Sequence, residues 1–152
     1  MRNFKLISID IIEQGCSYQL LKTFGSGCYM KLKELIEVLD AEIILDNHGP
    51  DEEIPAGGAA DLMSDVLAFG SPGMALLTGL TNPQVVRTAE MAGINAIVLV
   101  RDKKAPPETV ELARELGITL IRTSYTMYEA CGRLYHVGLP GLGVVKIRND
   151  TW

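Results

Sequence analysis

The chain has 152 residues and a mass of 16.6 kDa, the size of one domain and long enough to bury roughly 68–70 % of the surface its unfolded form exposes. With 47 % hydrophobic and 22 % charged residues, 15 glycines and 7 prolines, it is too apolar for intrinsic disorder and too interrupted for a fibrous protein. A net charge of −5, a pI near 5.0 and only 6 % aromatic residues oppose a nucleic-acid partner, which demands positive charge and stacking surfaces.

Residues 1–29 carry Arg2, Lys5 and Lys22 against Asp10 and Glu13, and the string GSGCY separates them from Met30. They read as an N-terminal extension, with Met30 a natural start and KLISIDII (5–12) a candidate edge strand. The stretch MKLKELIEVLDAEIIL (30–45) places Leu32, Leu35, Ile36 and Leu39 on one helical face and then switches to a short strand. The run DNHGPDEEIPAGG (46–58) is turn-rich and acidic. Asp61 then reads as the N-cap of a short helix, DLMSDVLAF, that buries Leu62, Val66 and Phe69.

From Gly73 to Gly138 a short apolar run, a polar break, an amphipathic stretch and a glycine recur three times. The apolar runs are MALLT (74–78), NAIVLV (95–100) and ITLIR (118–122), and each is followed by a helical pattern. They are unbroken Val/Ile/Leu strings, as strands are when helices cover both faces of a parallel sheet. Pro83 and the pair Pro106/Pro107 sit where a helix's first turn tolerates a missing N–H. Thr126 and Glu129 form a capping box, and Gly93, Gly117 and Gly138 occupy left-handed C-cap positions. The expected fold is α/β: three layers, α/β/α, around a mostly parallel central sheet, over residues 30–139. GLPGLG (138–143) is a turn leading to a last edge strand, VVKIR, within a C-terminal segment spanning 140–152.

Ligands of an open parallel sheet gather at the carboxyl ends of its strands, where helix N-termini point their free N–H groups. The three ends supply Thr78, Gly79, Thr81 and Asn82; Arg101 and Asp102; and Thr123, Ser124, Tyr125 and Thr126. Hydroxyls, an amide and an arginine beside helix N-termini suit a phosphate or carboxylate; Asn82 and Thr126 also serve as helix caps. Asp61 and Asp65, one turn apart, are the candidate carboxylates for an alternative, enzymatic reading, with Arg101 holding a phosphorylated substrate.

His48 and His136 lie 88 positions apart, and HxH, HExxH and CxxC spacings do not occur, so no metal ligands are assigned. His48 reads as part of a surface turn. Cys16, Cys28 and Cys131 fit no disulfide framework and read as reduced thiols of a cytoplasmic protein; Cys131, among Met127, Tyr128, Leu134 and Tyr135, reads as a packed thiol. Apolar stretches fall short of the ~18–20 residues a membrane span needs, and the N-terminus lacks a signal-peptide pattern. There is no GxxxxGK[ST], no GxGxxG after a strand and no GxSxG, which removes a P-loop kinase, the standard dinucleotide fold and a serine hydrolase. Neither catalytic residues nor cofactors are assigned.

The strings DLMSDV, TGLTNPQVVRTAE and ACGRLY, in their order and spacing, resemble a DRTGG domain over about residues 30–139. The resemblance implies a fold similar to the N-terminal domain of HPr kinase/phosphorylase, without the kinase half. It also implies a regulatory role, since such domains accompany CBS domains in some pyrophosphatases and occur in phosphotransacetylases. Standalone versions occur in anaerobes, sometimes encoded near iron-hydrogenase and electron-transfer proteins. Where typical members carry Asp-Arg this chain has Thr81-Asn82, and where they carry Thr-Gly-Gly it has Val100-Arg101-Asp102. The expectation is a non-catalytic regulatory or accessory domain that senses a small anionic ligand, a nucleotide or phosphate, and self-associates, a dimer being favoured. The alternative to it is an interaction module accessory to redox or hydrogenase-associated proteins.

Overall fold

A computed structural model of the chain describes residues 29–143. The N-terminal extension, its candidate edge strand and the strand expected at 144–148 lie outside the described residues.

In chain order the elements are β1 (Met30–Lys31), α1 (Leu32–Val38), β2 (Glu42–Leu45), β3 (Glu53–Ile54), β4 (Gly57–Ala59), α2 (Met63–Phe69), β5 (Ala75–Thr78), α3 (Pro83–Met91), β6 (Ala96–Leu99), α4 (Pro107–Leu116), β7 (Thr119–Arg122) and α5 (Met127–His136). The main sheet has the order β2-β7-β6-β5-β4, and β1 and β3 form a separate antiparallel pair. Strands β4 to β7 run parallel, and β2 closes one edge antiparallel to β7.

The strands read as continuous apolar runs because alternate residues serve two different cores. On one face Ala75, Leu77, Ala96, Val98 and Ile121 meet Leu32 and Leu35 of α1, Leu39 just after it, and Ala130 and Leu134 of α5. On the other, Leu76, Ile97, Leu99 and Leu120 meet Val66 of α2, Val85, Val86 and Ala89 of α3, and Ala113 of α4. This is the three-layer α/β/α arrangement expected from the sequence. Full burial of each large aliphatic side chain contributes about 1.5–3 kcal/mol.

The boundaries of the β-α units follow their punctuation. Pro83 and Pro107 open α3 and α4, while Asn82 Oδ1 accepts from the Val85 N–H at 3.3 Å. Gly93, Gly117 and Gly138 follow helices α3 to α5 with φ of +71°, +70° and +104°, a region open to glycine at little cost. Thr126 caps α5 by accepting from the Glu129 N–H at 3.4 Å. The Glu129 carboxylate instead engages Arg133 Nε at 2.9 Å.

Two expectations are corrected upstream. The segment 46–58, read as turn-rich, contains β3 and the first two residues of β4, and Gly57, Gly58 and Ala59 pair in parallel with Ala75, Leu76 and Leu77. Asp61 does not cap the following helix: its N-cap residue is Leu62, with no side-chain hydrogen bond. Of the three residues expected to be buried there, only Val66 is; Leu62 is 60 % and Phe69 50 % exposed. Hydrophobic periodicity over about two turns is too short to fix which way a helix faces.

Candidate functional site

Sheet register brings the strand ends into line. Thr78 lies opposite Leu99, and Leu99 opposite Arg122, so the loops beginning at Gly79, Val100 and Thr123 open along one edge. Ala59 pairs with Leu77 and the Ala60 N–H donates to the Leu77 carbonyl at 3.1 Å. Strand β4 therefore delivers Asp61 to the end of β5.

There the Asp61 carboxylate collects donors. Its Oδ1 accepts from the Gly79 N–H at 2.7 Å and from the Thr78 hydroxyl at 3.0 Å. The Gly79 amide, opposed by partial burial and helped by the Thr78 hydroxyl, Arg101 and Lys103, holds the Asp61 carboxyl below the usual aspartate range. Arg101 folds over the same point. A Cβ on Gly79 would come within 2.0 Å of Arg101 Nη2 and 3.3 Å of Asp61 Oδ2, so the absence of a side chain at Gly79 is what lets the guanidinium rest there.

The loop presenting Arg101 is strained. Arg101 and the adjacent Asp102 have φ of +60° and +53°, a left-handed conformation costing roughly 1–2 kcal/mol per non-glycine residue. Three contacts over-determine it: the Arg101 N–H donates to the Tyr125 carbonyl at 2.8 Å, the Asp102 N–H to the Thr123 carbonyl at 2.9 Å, and Asp102 Oδ1 meets Arg122 Nε at 3.3 Å. Strain of this kind, held in place by surrounding structure, concentrates at functional sites. Arg101 is exposed and, among the described residues, joins no ion pair. Lys103 and Lys104, also exposed, follow it, making a local cationic strip on an acidic protein.

The predicted ligand residues divide accordingly. Thr78, Gly79 and Arg101 converge. Asn82 and Thr126 cap helices, and Thr81 offers its carbonyl to the buried Thr109 hydroxyl at 2.8 Å. Asp102 faces Arg122, while Ser124 is exposed at the crevice rim. Several backbone donors here are already used: Leu80 N–H to Thr78 Oγ1 at 3.2 Å, Tyr125 N–H to Thr123 Oγ1 at 3.2 Å, and those of Arg101 and Asp102 as above. Side-chain charge faces outward beside them. Asp61, Lys103 and Lys104 were missing from the predicted ligand set, and nothing local in the sequence places Asp61 there, since its partners lie 17 and 18 residues away.

The two carboxylates of the enzymatic reading have different surroundings. Asp61 is committed to Thr78 and Gly79, and Asp65 stands exposed in the first turn of α2. His48 is exposed on a turn, its Nε2 2.6 Å from the Gly117 carbonyl. Among the described residues no group of three His, Cys, Asp or Glu is arranged to hold a metal, and no helix is long and apolar enough to cross a membrane. Cys131 is half-buried, and burial pushes its thiol pKa up.

A further cavity lies elsewhere. It measures about 700 Å³ and opens between Gly57–Ala59, Leu77, the outer part of α5 and Leu139–Gly141. It contains none of the predicted ligand residues. Its lining is mostly apolar, and Tyr128 and Tyr135 at its rim are 89 % and 70 % exposed.

No protein-family model and no curated protein matches the chain. Among solved structures, the chain resembles the CBS and DRTGG domains of the regulatory region of Clostridium perfringens pyrophosphatase, determined in complex with its activator, diadenosine tetraphosphate. The two superpose with a TM-score of 0.61 at 21 % sequence identity, over 80 % of this chain and 52 % of that one. The chain thus spans about half the length of this neighbour, with which it shares a fold.

Proposed function

We propose that the protein is a DRTGG-type, non-catalytic regulatory domain that binds a small anionic ligand, a phosphate or nucleotide, at the carboxyl ends of β5 and β6. One observation carries this reading: Arg101, held in a strained left-handed turn, extends over Gly79, beside Thr78, Asp61 and Lys103, a guanidinium that joins no ion pair among the described residues. A charge kept in a costly conformation and, among the described residues, in no ion pair suits an anion that comes and goes. The fold shared with a regulatory region crystallised with a nucleotide activator supports the same class of function.

Ligand contacts are assigned to Thr78, Gly79, Arg101 and Ser124, with Thr81, Asn82, Asp102 and Thr126 shaping the crevice. In this reading the domain acts in the cytoplasm and works through association. A second copy of the chain, or a redox or hydrogenase-associated protein, takes the apolar surface around Tyr128 and Tyr135, the feature that favours an interaction module as the second reading.

The test is a thermal-shift screen with inorganic phosphate, pyrophosphate, AMP, ATP, diadenosine tetraphosphate and acetyl phosphate, on the wild type and Arg101→Ala. A ligand at ~100 times its dissociation constant adds about 2.7 kcal/mol of stability. A shift of several degrees that Arg101→Ala abolishes supports the sensor. No shift with any compound overturns it in favour of the interaction module.

A further inference from the structure

We infer that Asp61 is an internal plug for this anion site, so that the external ligand must carry two or more negative charges and its binding releases the start of α2. The inference rests on the proposed ligand reading and specifies how that site is regulated.

The geometry at the end of β5 is that of an occupied anion site. A backbone amide, a hydroxyl and a nearby guanidinium converge on one charged oxygen-bearing group, as they do on a bound phosphate. The occupant is the chain's own carboxylate: Gly79 N–H at 2.7 Å and Thr78 Oγ1 at 3.0 Å from Asp61 Oδ1, with Arg101 Nη2 and Asp61 Oδ2 both crowding the space above Gly79. The neighbouring backbone donors at Leu80, Arg101, Asp102 and Tyr125 are satisfied elsewhere in the fold. An incoming anion that is to reach the Gly79 amide and the Thr78 hydroxyl has to take them from Asp61.

That competition selects the ligand. A tethered group confronts its donors at an effective concentration on the order of millimolar or above, so a free monocarboxylate, with the same charge and no tether, does not displace it. A pyrophosphate or polyphosphate group brings more charge and more acceptor oxygens to Arg101, Lys103 and Lys104 while replacing Asp61 below.

Displacement also has a structural consequence. Asp61 stands two residues before α2, a seven-residue helix with no side-chain N-cap and Val66 as its only buried residue. Leu62, Leu67 and Phe69 are 60 %, 49 % and 50 % exposed. Local stability is lowest where buried contacts are fewest. The bond from Asp61 to the end of β5 holds this segment together with the Ala60–Leu77 backbone bond and the packing of Met63 and Val66, and ligand binding, by removing the first of these, loosens the apolar surface of α2 while it orders the crevice.

Calorimetric titration of the full chain with acetate, inorganic phosphate and pyrophosphate, on wild type, Asp61→Ala and Arg101→Ala, tests this. Asp61→Ala is expected to bind pyrophosphate about tenfold or more tightly than wild type, the scale of one charged hydrogen bond no longer in competition, and to acquire measurable phosphate binding. Arg101→Ala binds none of the three. Hydrogen exchange supplies a readout that a purely structural Asp61 does not move: saturating pyrophosphate accelerates exchange of the Met63–Phe69 amides in wild type and leaves them unchanged in Asp61→Ala. Should Asp61→Ala fold poorly, Asp61→Asn and the wild-type exchange experiment carry the test. Equal or weaker pyrophosphate binding by the Asp61 variant, or slowed exchange in α2, overturns the plug while leaving the ligand site standing. Absence of binding by every variant overturns both.

Discussion

The amide of Gly79 donates to the carboxylate of Asp61 at 2.7 Å, joining the end of β5 to the start of α2 across 18 residues of sequence. Because that bond favours the charged form, it links stability to pH. The native Asp61 pKa lies below its unfolded value of about 3.9, so its contribution is fully present above that pH. It is lost as pH falls through the lowered native value. Acid unfolding followed by circular dichroism should therefore steepen below about pH 4 in wild type, and Asp61→Asn should remove that part of the slope. A variant with an unchanged acid limb would remove Asp61 as a linked group.

Gly79→Ala separates the charge from its placement. The added methyl meets the far end of the flexible Arg101 side chain and, at 3.3 Å, Asp61 Oδ2 rather than backbone, so the fold adjusts at a cost of about 1 kcal/mol or less. The guanidinium can no longer lie over the strand end. Nucleotide or pyrophosphate stabilisation seen in wild type should fall about tenfold or more in affinity. A variant that keeps full affinity would show that the guanidinium's position over Gly79 is irrelevant to binding.

Arg101→Gly should raise stability while abolishing the ligand response. Relief of a left-handed residue is worth roughly 1–2 kcal/mol, offset by about 0.5–1 kcal/mol for the greater freedom of glycine in the unfolded chain. A net gain of about 0.5–1 kcal/mol by urea denaturation is expected. Net destabilisation would mean that the Arg101 side chain supports the fold and that the strain has no functional reading.

The sheet centre should respond in the ordinary manner of a packed core. Ile97 and Leu120 are fully buried, and truncating either to alanine should cost about 2–5 kcal/mol in chemical denaturation. Met91→Ala, at a residue 71 % exposed, should change stability by no more than about 0.5 kcal/mol.

Alkylation tests the thiol of α5. Burial raises the Cys131 pKa above its ordinary value, so thiolate is scarce at neutral pH and reaction with iodoacetamide, mapped by mass spectrometry, should be slow and accelerate steeply with alkalinity. Rapid modification at pH 7 would contradict a packed, inert thiol.

The β-α units were legible because their punctuation is chemical. Pro83, Pro107, Gly93, Gly117 and Gly138 act at positions where a missing N–H or a missing Cβ is decisive. Strand β4 was not legible, since Gly57 and Gly58 have no strand preference of their own and pair only because β5 is there to pair with. The role of Asp61 was hidden for a related reason: its partners are set by the β4–β5 register, and a carboxylate ahead of a helix looks like a cap wherever it points. Arg101 was found from its place after a strand, but its left-handed backbone was not, because RDKK holds no glycine and the conformation is imposed by Thr123 and Tyr125.

Where on the molecule an anion binds is the most direct question, and an amide chemical-shift titration with ATP and with pyrophosphate answers it. The account predicts shifts at Thr78–Asn82, Asp61, Arg101–Lys104 and Ser124–Thr126, lost in Arg101→Ala. Shifts confined to Gly57–Ala59, Cys131–His136 and Leu139–Gly141, around the 700 Å³ cavity, would contradict it and move the ligand site to the cavity between β4 and α5.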